Sequence, residues 1–341
     1  MARDSTSAVP ANHPLIVYEG RQAAEASGAV RLGFPGVTVH VSFRGRGLTV
    51  RVDAAAENLY LDVRIDGAAP VPLRLRAGPG DYALGPDAAA AVHAVALVRR
   101  NESWHGAVTL HGFDPGPGGG ILPGPALPAR KLLFIGDSVT CGEMAAYEPG
   151  RALKDYLNWS PRDSYGLILA RRLGAQCHLV SYGGRGIIRD WQGIRATRNA
   201  PQFYELALPD GPAAAWDHAC YLPDAIGIQL GTNDFNPGIP ERDEFVDAYV
   251  RFIQKVRRDA PHALIFVMDS PIVRDDPVHG PRRTGLHGYL EQIVTRSGSR
   301  QVILAPLSHY PGVPDNGHPT GREHVAMADE LEPLLRRRLG W

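Results

Sequence analysis

The chain has few cysteines, no excess of either charge and no long hydrophobic run, and each absence excludes a class of protein. Three of its 341 residues are cysteine and none forms a CxxC pair, so the sequence predicts neither a disulfide framework nor a zinc knuckle. Basic and acidic residues both number 36, which removes the basic excess typical of a nucleic-acid-binding protein. No segment approaches the roughly 18 consecutive apolar residues of a membrane span, and we therefore expect no membrane partner.

Motifs for metals and for export are missing as well. The sequence contains no HxxxH, HExxH or Cys/His cluster with ligand spacing, so we predict no metal site and no cofactor. The first twenty residues lack a charged region followed by an apolar core of about 7–15 residues, and we therefore predict no signal peptide. We expect a cytoplasmic protein if this N-terminus is native, and a secreted or periplasmic one if a leader has been removed.

What is present indicates a globular protein of two domains. A length of 341 residues exceeds one ordinary domain of about 100–200 residues. Residues 15–114 consist of short apolar or alternating runs between turn signals, at 36–43, 47–54, 58–67, 93–100 and 106–113. In the first run Val37, Val39 and Val41 alternate with polar residues, which is the period of a half-buried strand. We predict an antiparallel all-β sandwich of jelly-roll type here, preceded by a tail at 1–14.

The pattern changes after this region. Residues 115–130 contain five prolines and five glycines, which predicts a linker or surface loop between two domains. From 131 onward, apolar strands alternate with helical segments near 164–174, 241–260, 287–298 and 321–340. This alternation predicts a parallel sheet covered by helices on both faces. Residues 131–341 are therefore expected to form an α/β three-layer sandwich.

Polar residues follow four of the predicted parallel strands, and ligands bind at the carboxyl ends of such strands. Ser138 lies on a strand-to-helix turn and is a candidate nucleophile, which needs an adjacent base. His318 can take and return its proton, and Asp315, three residues earlier, can orient the imidazole. The Ser138 N–H, the Gly184 N–H and the Asn233 amide are candidate donors of an oxyanion hole. Among the other histidines, His324 is a weaker candidate base because it lies inside the last predicted helix.

These four blocks resemble the SGNH (GDSL) hydrolase superfamily. The matching segments are FIGDSVTCG around Ser138, SYGGRG around Gly184, LGTND around Asn233, and DNGHP, which holds Asp315 and His318. The first domain and the segment HAVALVRRNESWHGAVTLHGF extend the resemblance to carbohydrate esterase family 2. That family joins a jelly-roll to an SGNH domain and removes acetyl groups from polysaccharides such as xylan and glucomannan. Some of its members use a Ser–His dyad, whereas the DxxH spacing here supplies an aspartate.

The resemblance implies a serine esterase that deacetylates sugars through an acyl-enzyme, without a cofactor. Trp191 and Tyr182 are candidates for binding the apolar face of a sugar ring, because an aromatic side chain offers a flat apolar platform. Two alternatives remain: a lysophospholipase or thioesterase using the same site, and a sugar-binding protein with an inactive esterase domain. The expected partner is an acetylated carbohydrate, and the oligomeric state is not predicted.

Overall fold

The computed structural model describes residues 8–85, 91–211 and 214–341. In the described part of the N-terminal domain, twelve strands form two antiparallel sheets. The strands are β1 (Val9–Pro10), β2 (Val17–Glu19), β3 (Gln22–Ala24), β4 (Val30–Leu32), β5 (Thr38–Gly45), β6 (Leu48–Ala54), β7 (Leu59–Ile65), β8 (Val71–Leu75), β9 (Gly78–Leu84), β10 (Ala91–Arg99), β11 (Val108–Asp114) and β12 (Gly120–Leu122). One sheet has the order β3-β4-β11-β6-β9, with β1 on β11; the other has β12-β5-β10-β7-β8, with β2 on β5.

Alternation along the strands decides which side chains enter the sandwich core. Val39, Val41 and Phe43 of β5 are buried, and Val50 and Val52 of β6 are buried in the same core. The intervening residues of both strands are more exposed, as a period of two requires. The predicted all-β fold of the first domain is therefore confirmed.

The structure differs from the predicted boundaries at two places. Residues 9–10, expected in the N-terminal tail, pair with β11, and residues 120–122, expected in the linker, pair with β5 as an edge strand. Val9 and Ile121 pack against the sandwich core. The physical reason is that proline is tolerated beside or on an edge strand, so a proline-rich sequence can still contribute a short strand that covers apolar surface.

The C-terminal domain has a parallel five-stranded sheet of order β14-β13-β15-β16-β17. Its strands are β13 (Arg130–Gly136), β14 (Ala175–Ser181), β15 (Ala225–Gln229), β16 (Leu264–Met268) and β17 (Val302–Ala305). Its described α-helices are α1 (Ser138–Cys141), α2 (Tyr165–Leu173), α3 (Ala200–Phe203), α4 (Thr232–Phe235), α5 (Arg242–Asp259), α6 (Arg282–Arg296) and α7 (Gly321–Leu339). Every residue of β14 and β15 is buried, as expected for strands covered on both faces. The predicted α/β sandwich is confirmed.

Apolar periodicity located the four long helices, with one difference at a boundary, whereas α3 and α4, of four residues each, are too short to give a periodic signal and were not predicted. Helix α6 begins at Arg282, five residues before the predicted start at 287. Its first turn, Arg282-Arg283-Thr284, is polar and therefore carries no apolar signal. Among the described residues, no helix is both long and apolar enough to cross a bilayer.

The strand order decides where a site can form. Strand β13 lies between β14 and β15. The chain therefore runs from β13 to the neighbour on one side, β14, and then crosses to the neighbour on the other side, β15. A crevice opens at the carboxyl ends of the strands where the order reverses in this way. The sandwich domain reaches the same region: buried Ser103 donates through Oγ to the carbonyl of Ser181, the last residue of β14, at 2.6 Å.

Candidate active site

Ser138 stands at the turn between β13 and α1. Asp137 caps the helix, and its carboxylate accepts the N–H of Val139 at 3.1 Å. Ser138 is the first helical residue, so its own N–H belongs to the donors that have no partner within a helix. The turn thus presents the hydroxyl and the N–H of Ser138 at the rim of the sheet.

His318 contacts the hydroxyl of Ser138. Its Nε2 lies 2.7 Å from Ser138 Oγ, and its Nδ1 lies 2.8 Å from Oδ1 of Asn316. The tautomer with the proton on Nδ1 satisfies both contacts, because Nδ1 then donates to the amide oxygen and Nε2 accepts from the hydroxyl. The imidazole is therefore oriented to receive the Ser138 proton.

Asn316, and not Asp315, orients this imidazole, which corrects the third residue of the predicted triad. Asp315 has a left-handed backbone, φ 63°, and an exposed side chain. The N–H groups of Asn316 and Gly317 both donate to the carbonyl of Val313, at 3.1 and 2.7 Å. This tight turn places the residue two positions before His318 beside the ring, a result that spacing along the chain does not reveal.

The predicted oxyanion donors line the same cavity as Ser138 and His318, of about 690 Å³. Gly184 adopts φ 74°, and a Cβ there would lie 2.8 Å from Cδ1 of Trp191, so this position requires glycine. Asn233 is buried, and its Nδ2 donates to the carbonyl of Arg185 at 2.9 Å. Because an amide NH₂ has two protons, one remains for a developing oxyanion.

Asp234 holds the loop that carries Gly184, and sequence reasoning missed it. Its buried carboxylate accepts the N–H groups of Ile187 and Ile188, at 2.9 and 2.8 Å. Burial raises the pKa of Asp234 to about 6, and these backbone hydrogen bonds act in the opposite direction. Asp234 is the last residue of the LGTND block, so the third block also fixes the backbone of the second.

The sandwich domain supports the same loop from its other side. The N–H of Gly183 donates to Oε1 of buried Glu102 at 3.0 Å, and Ser103 Oγ donates to the carbonyl of Ser181 at 2.6 Å. A Cβ at Gly183 would lie 2.3 Å from Glu102 Oε2. Buried Arg99 anchors this segment by donating to the carbonyl of Glu102 at 3.0 Å. Glu102 was not predicted from the sequence as a functional residue. Its only indication in the sequence is a charged residue that follows a buried strand, which is a weak one.

We expect Glu102→Gln to flatten the dependence of stability on pH. Burial raises the pKa of Glu102 from 4.5 to about 7. The folded state thus binds this proton more tightly than the unfolded state, and the free energy of unfolding falls as the pH rises between these two values. Glutamine does not ionise, yet its amide oxygen still accepts the Gly183 N–H, so the variant should lose less stability over that range.

Urea unfolding at pH 5 and pH 8 measures this effect. Glu148→Gln is the matched control, because that carboxylate is 74% exposed and the substitution should leave the pH dependence of wild type unchanged. An equal loss of stability between the two pH values in wild type and Glu102→Gln would contradict the prediction.

The two predicted aromatic residues both line the cavity but differ in exposure. The Trp191 side chain is 52% exposed, and the backbone N–H of this residue donates to the carbonyl of Gly184 at 2.9 Å. Tyr182 is buried, and its hydroxyl donates to Asp210 at 2.9 Å, so it offers little surface to a ligand. Trp104, from the sandwich domain, is 48% exposed and lines both this cavity and an adjoining one of about 890 Å³.

His324, the competing histidine, is fully buried inside α7. Its Nδ1 accepts the N–H of Tyr165 at 3.3 Å, and burial lowers its pKa to about 3. Burial therefore keeps His324 neutral and away from solvent, and its position inside α7 agrees with the helix predicted from the sequence.

One cluster of the described residues has the composition of a metal site. Oxygen or nitrogen atoms of Glu205, His218 and Asp259 lie within 4.8 Å of one another. Lys255 already forms an ion pair with Glu205 at 2.8 Å, and the positive charge of Arg21 acts on His218. These two cations balance the two carboxylates, so the cluster is an ion-pair network outside the lining of the Ser138 cavity.

Each of the two domains matches a known protein family. The family described as Carbohydrate esterase 2 N-terminal matches residues 18–125, and the GDSL-like Lipase/Acylhydrolase family matches residues 134–330. The chain is 37% identical over 338 residues to an acetylxylan esterase / glucomannan deacetylase of Cellvibrio japonicus, which covers 99% of this chain and 92% of that protein.

Solved structures agree with this relationship. A family two carbohydrate esterase from Cellvibrio japonicus superposes with a TM-score of 0.93 at 37% identity, covering 99% of both chains. A family two carbohydrate esterase from Clostridium thermocellum, solved in complex with cellohexaose, superposes with a TM-score of 0.87 at 28% identity, covering 96% of this chain and 99% of that one.

Proposed function

Because this chain belongs to carbohydrate esterase family 2 and is a carboxylic ester hydrolase, we propose that it removes O-acetyl groups from saccharides of the xylan or glucomannan type. The observation that carries the proposal is the contact of 2.7 Å between Ser138 Oγ and His318 Nε2, in a cavity also lined by Gly184 and Asn233. A nucleophile, a base and oxyanion donors on one cavity are the requirements of acyl transfer.

Acylation begins when Ser138 Oγ attacks the acetyl carbonyl carbon and His318 Nε2 takes the hydroxyl proton. The carbonyl oxygen becomes an oxyanion, which accepts hydrogen bonds from the N–H groups of Ser138 and Gly184 and from the amide of Asn233. When the tetrahedral intermediate collapses, His318 returns the proton to the sugar oxygen. The sugar leaves as an alcohol, and the acetyl group remains on Ser138.

Deacylation repeats these steps with water. His318 takes a proton from a water molecule, whose oxygen attacks the acetyl-Ser138 carbonyl carbon. The same donors hold the second oxyanion. Collapse breaks the bond to Ser138 Oγ, which recovers the proton from His318, and acetate leaves. No step needs a group outside the chain, the substrate and water.

The surroundings of the site favour a sugar substrate over a lipid acyl chain. Exposed indole surfaces of Trp191 and Trp104 border the cavity, and each can cover the apolar face of a sugar ring. Gln192, Thr197 and Asn236 add polar groups to the same lining. The relatives also support this substrate class: one is named for acetylxylan and glucomannan, and another was solved with cellohexaose.

Release of acetate from acetylated xylo-oligosaccharides and acetylated manno-oligosaccharides tests the proposal, alongside p-nitrophenyl acetate and p-nitrophenyl octanoate. Wild type is expected to release acetate from sugars and to cleave the octanoate poorly. Ser138→Ala should abolish release, whereas Ser27→Ala, which changes an exposed serine of the sandwich domain, should not. Preference for the octanoate would indicate a lipid or thioester substrate, and release that survives Ser138→Ala would place the site elsewhere.

Asn233→Ala is expected to lower kcat by on the order of a hundredfold, because it removes one oxyanion donor. The effect should fall on kcat more than on KM, since the charge exists in the transition state and not in the bound ester. Steady-state kinetics with p-nitrophenyl acetate measure both constants. Asn12→Ala, in an exposed turn of the sandwich domain, is the control. An unchanged kcat in Asn233→Ala would remove Asn233 from the oxyanion hole.

A further inference from the structure

Glu143 lies beside the Ser138–His318 pair. Its N–H donates to the carbonyl of Ser138 at 3.0 Å, which ties its backbone to the turn that carries the nucleophile. Its Oε2 lies 3.5 Å from His318 Nε2, and its Oε1 lies 3.5 Å from Nδ2 of Asn316. The side chain is 16% exposed and borders both cavities. The side chains of His318, Asn316 and Glu143 therefore form a closed ring, and Ser138 joins it through His318.

The reaction creates a positive charge on His318, and this arrangement places a negative charge beside it. Taking the Ser138 proton converts His318 into a cation, and in a serine triad a carboxylate at Nδ1 stabilises that cation. Here the group at Nδ1 is the neutral amide of Asn316, which fixes the tautomer but brings no negative charge. The carboxylate of Glu143, on the Nε2 side, supplies a negative charge within ion-pair distance.

We propose that Glu143 is a further catalytic residue, whose carboxylate stabilises the His318 imidazolium while Asn316 orients the ring. The inference rests on the proposed acyl-transfer function of this site. The two tasks of a triad aspartate are thus divided between residues on opposite sides of the imidazole. In each half-reaction the proton passes from Ser138 or water to His318 Nε2 and then to the departing oxygen. It does not stay on Glu143, because a carboxylate is a weaker base than an imidazole.

The geometry also assigns Glu143 a role toward Asn316. An amide at this position can present either its oxygen or its nitrogen to the ring. With Glu143 Oε1 on the side of Nδ2, the amide oxygen faces His318 Nδ1. One carboxylate thereby supports both the charge and the tautomer of the base.

Glu143→Gln tests the proposal. We expect kcat for p-nitrophenyl acetate to fall by about tenfold to a hundredfold, with KM little changed, because the positive charge that Glu143 faces exists in the transition state and not in the bound ester. The acidic limb of the kcat/KM profile should also move to lower pH, because a negative charge beside the base favours its protonated form. Glu148→Gln, in the same loop but 74% exposed, should match wild type in both respects.

The pH readout separates a charge effect from a folding defect. The charged or titratable groups around His318 are Glu143, His324 from α7, and Arg185 and Asp190 across the cavity. His324 is buried and neutral, while Arg185 and Asp190 pair with each other at 3.5 Å, so Glu143 is the group whose removal should move the limb. A lower plateau together with a displaced limb indicates a charge effect, because a folding defect lowers the plateau alone.

A rescue experiment completes the test. Asn316→Asp introduced into the Glu143→Gln variant returns a carboxylate to the imidazole, on the Nδ1 side, and should restore most of the lost kcat. The proposal requires both the loss of activity in Glu143→Gln and its recovery in the double variant. An acidic limb that stays in place, a kcat within twofold of wild type, or a double variant no faster than Glu143→Gln would each overturn it. Because the assay uses an aryl ester, failure to release acetate from sugars would refute the proposed substrate and leave this test valid.

Discussion

Ser138→Ala should lower the rate of acetate release by on the order of 10⁵- to 10⁶-fold, as loss of the nucleophile does in other serine hydrolases. The oxygen of this hydroxyl forms the acyl-enzyme and lies 2.7 Å from His318 Nε2, and no other hydroxyl of the described residues contacts that nitrogen. The small residual rate should come from substrate binding and the oxyanion donors. Initial rates at high enzyme concentration measure it.

The same experiment reveals whether Ser138 and His318 act as one unit. Each single alanine variant, and the double variant Ser138→Ala/His318→Ala, should lose nearly the same activity, because removal of either residue already disables proton transfer. Losses that multiply in the double variant would mean that the two side chains contribute independently. Thermal unfolding of all three proteins serves as the control for folding, since both side chains lie at the rim of the sheet and not in its core.

Asn316→Ala should reduce kcat by about a hundredfold to a thousandfold, whereas Asp315→Asn should leave it within about twofold. Asn316 Oδ1 is the acceptor for His318 Nδ1 at 2.8 Å, and without it the imidazole loses both its tautomer and its orientation. Asp315 is exposed, and asparagine tolerates its left-handed backbone, so Asp315→Asn removes the charge without straining the turn.

This matched pair separates the two candidates for the third residue. The substitutions are one position apart in the same turn, so a general disturbance of the turn would lower both activities. Kinetics with p-nitrophenyl acetate at the pH of maximal activity give the comparison. If Asp315→Asn costs more than Asn316→Ala, the aspartate predicted from the DxxH spacing holds the imidazole during catalysis, and the contact with Asn316 belongs to the free enzyme only.

Local patterns predicted most of the fold. Alternation in residues 36–43 indicated a strand with one buried face, and the continuous apolar run 132–135 indicated a strand buried on both faces. Both strands form, as β5 and β13. Errors occurred where the pattern was weak. Two residues pair in the predicted tail and three in the predicted linker, where short edge strands lack the length for a periodic signal.

The contact between the two proposed catalytic residues could be predicted for a related reason. Ser138 and His318 follow strands of a parallel sheet, and the carboxyl ends of such strands meet at one edge. The topology therefore brings two residues that are 180 positions apart to within 2.7 Å. Asn233 and Gly184 follow the neighbouring strands and reach the same cavity by the same rule.

The sequence by itself determined the class of each domain and the residues able to perform acyl transfer, because these depend on periodicity and on residue types at strand ends. Only the tertiary structure decided which side chains support them. Asn316 meets His318 because of a tight turn, and Glu143 meets it because the chain folds back after α1. Glu102 reaches Gly183 from another domain. Each contact depends on side-chain direction or on packing between distant segments, neither of which is encoded in spacing along the chain.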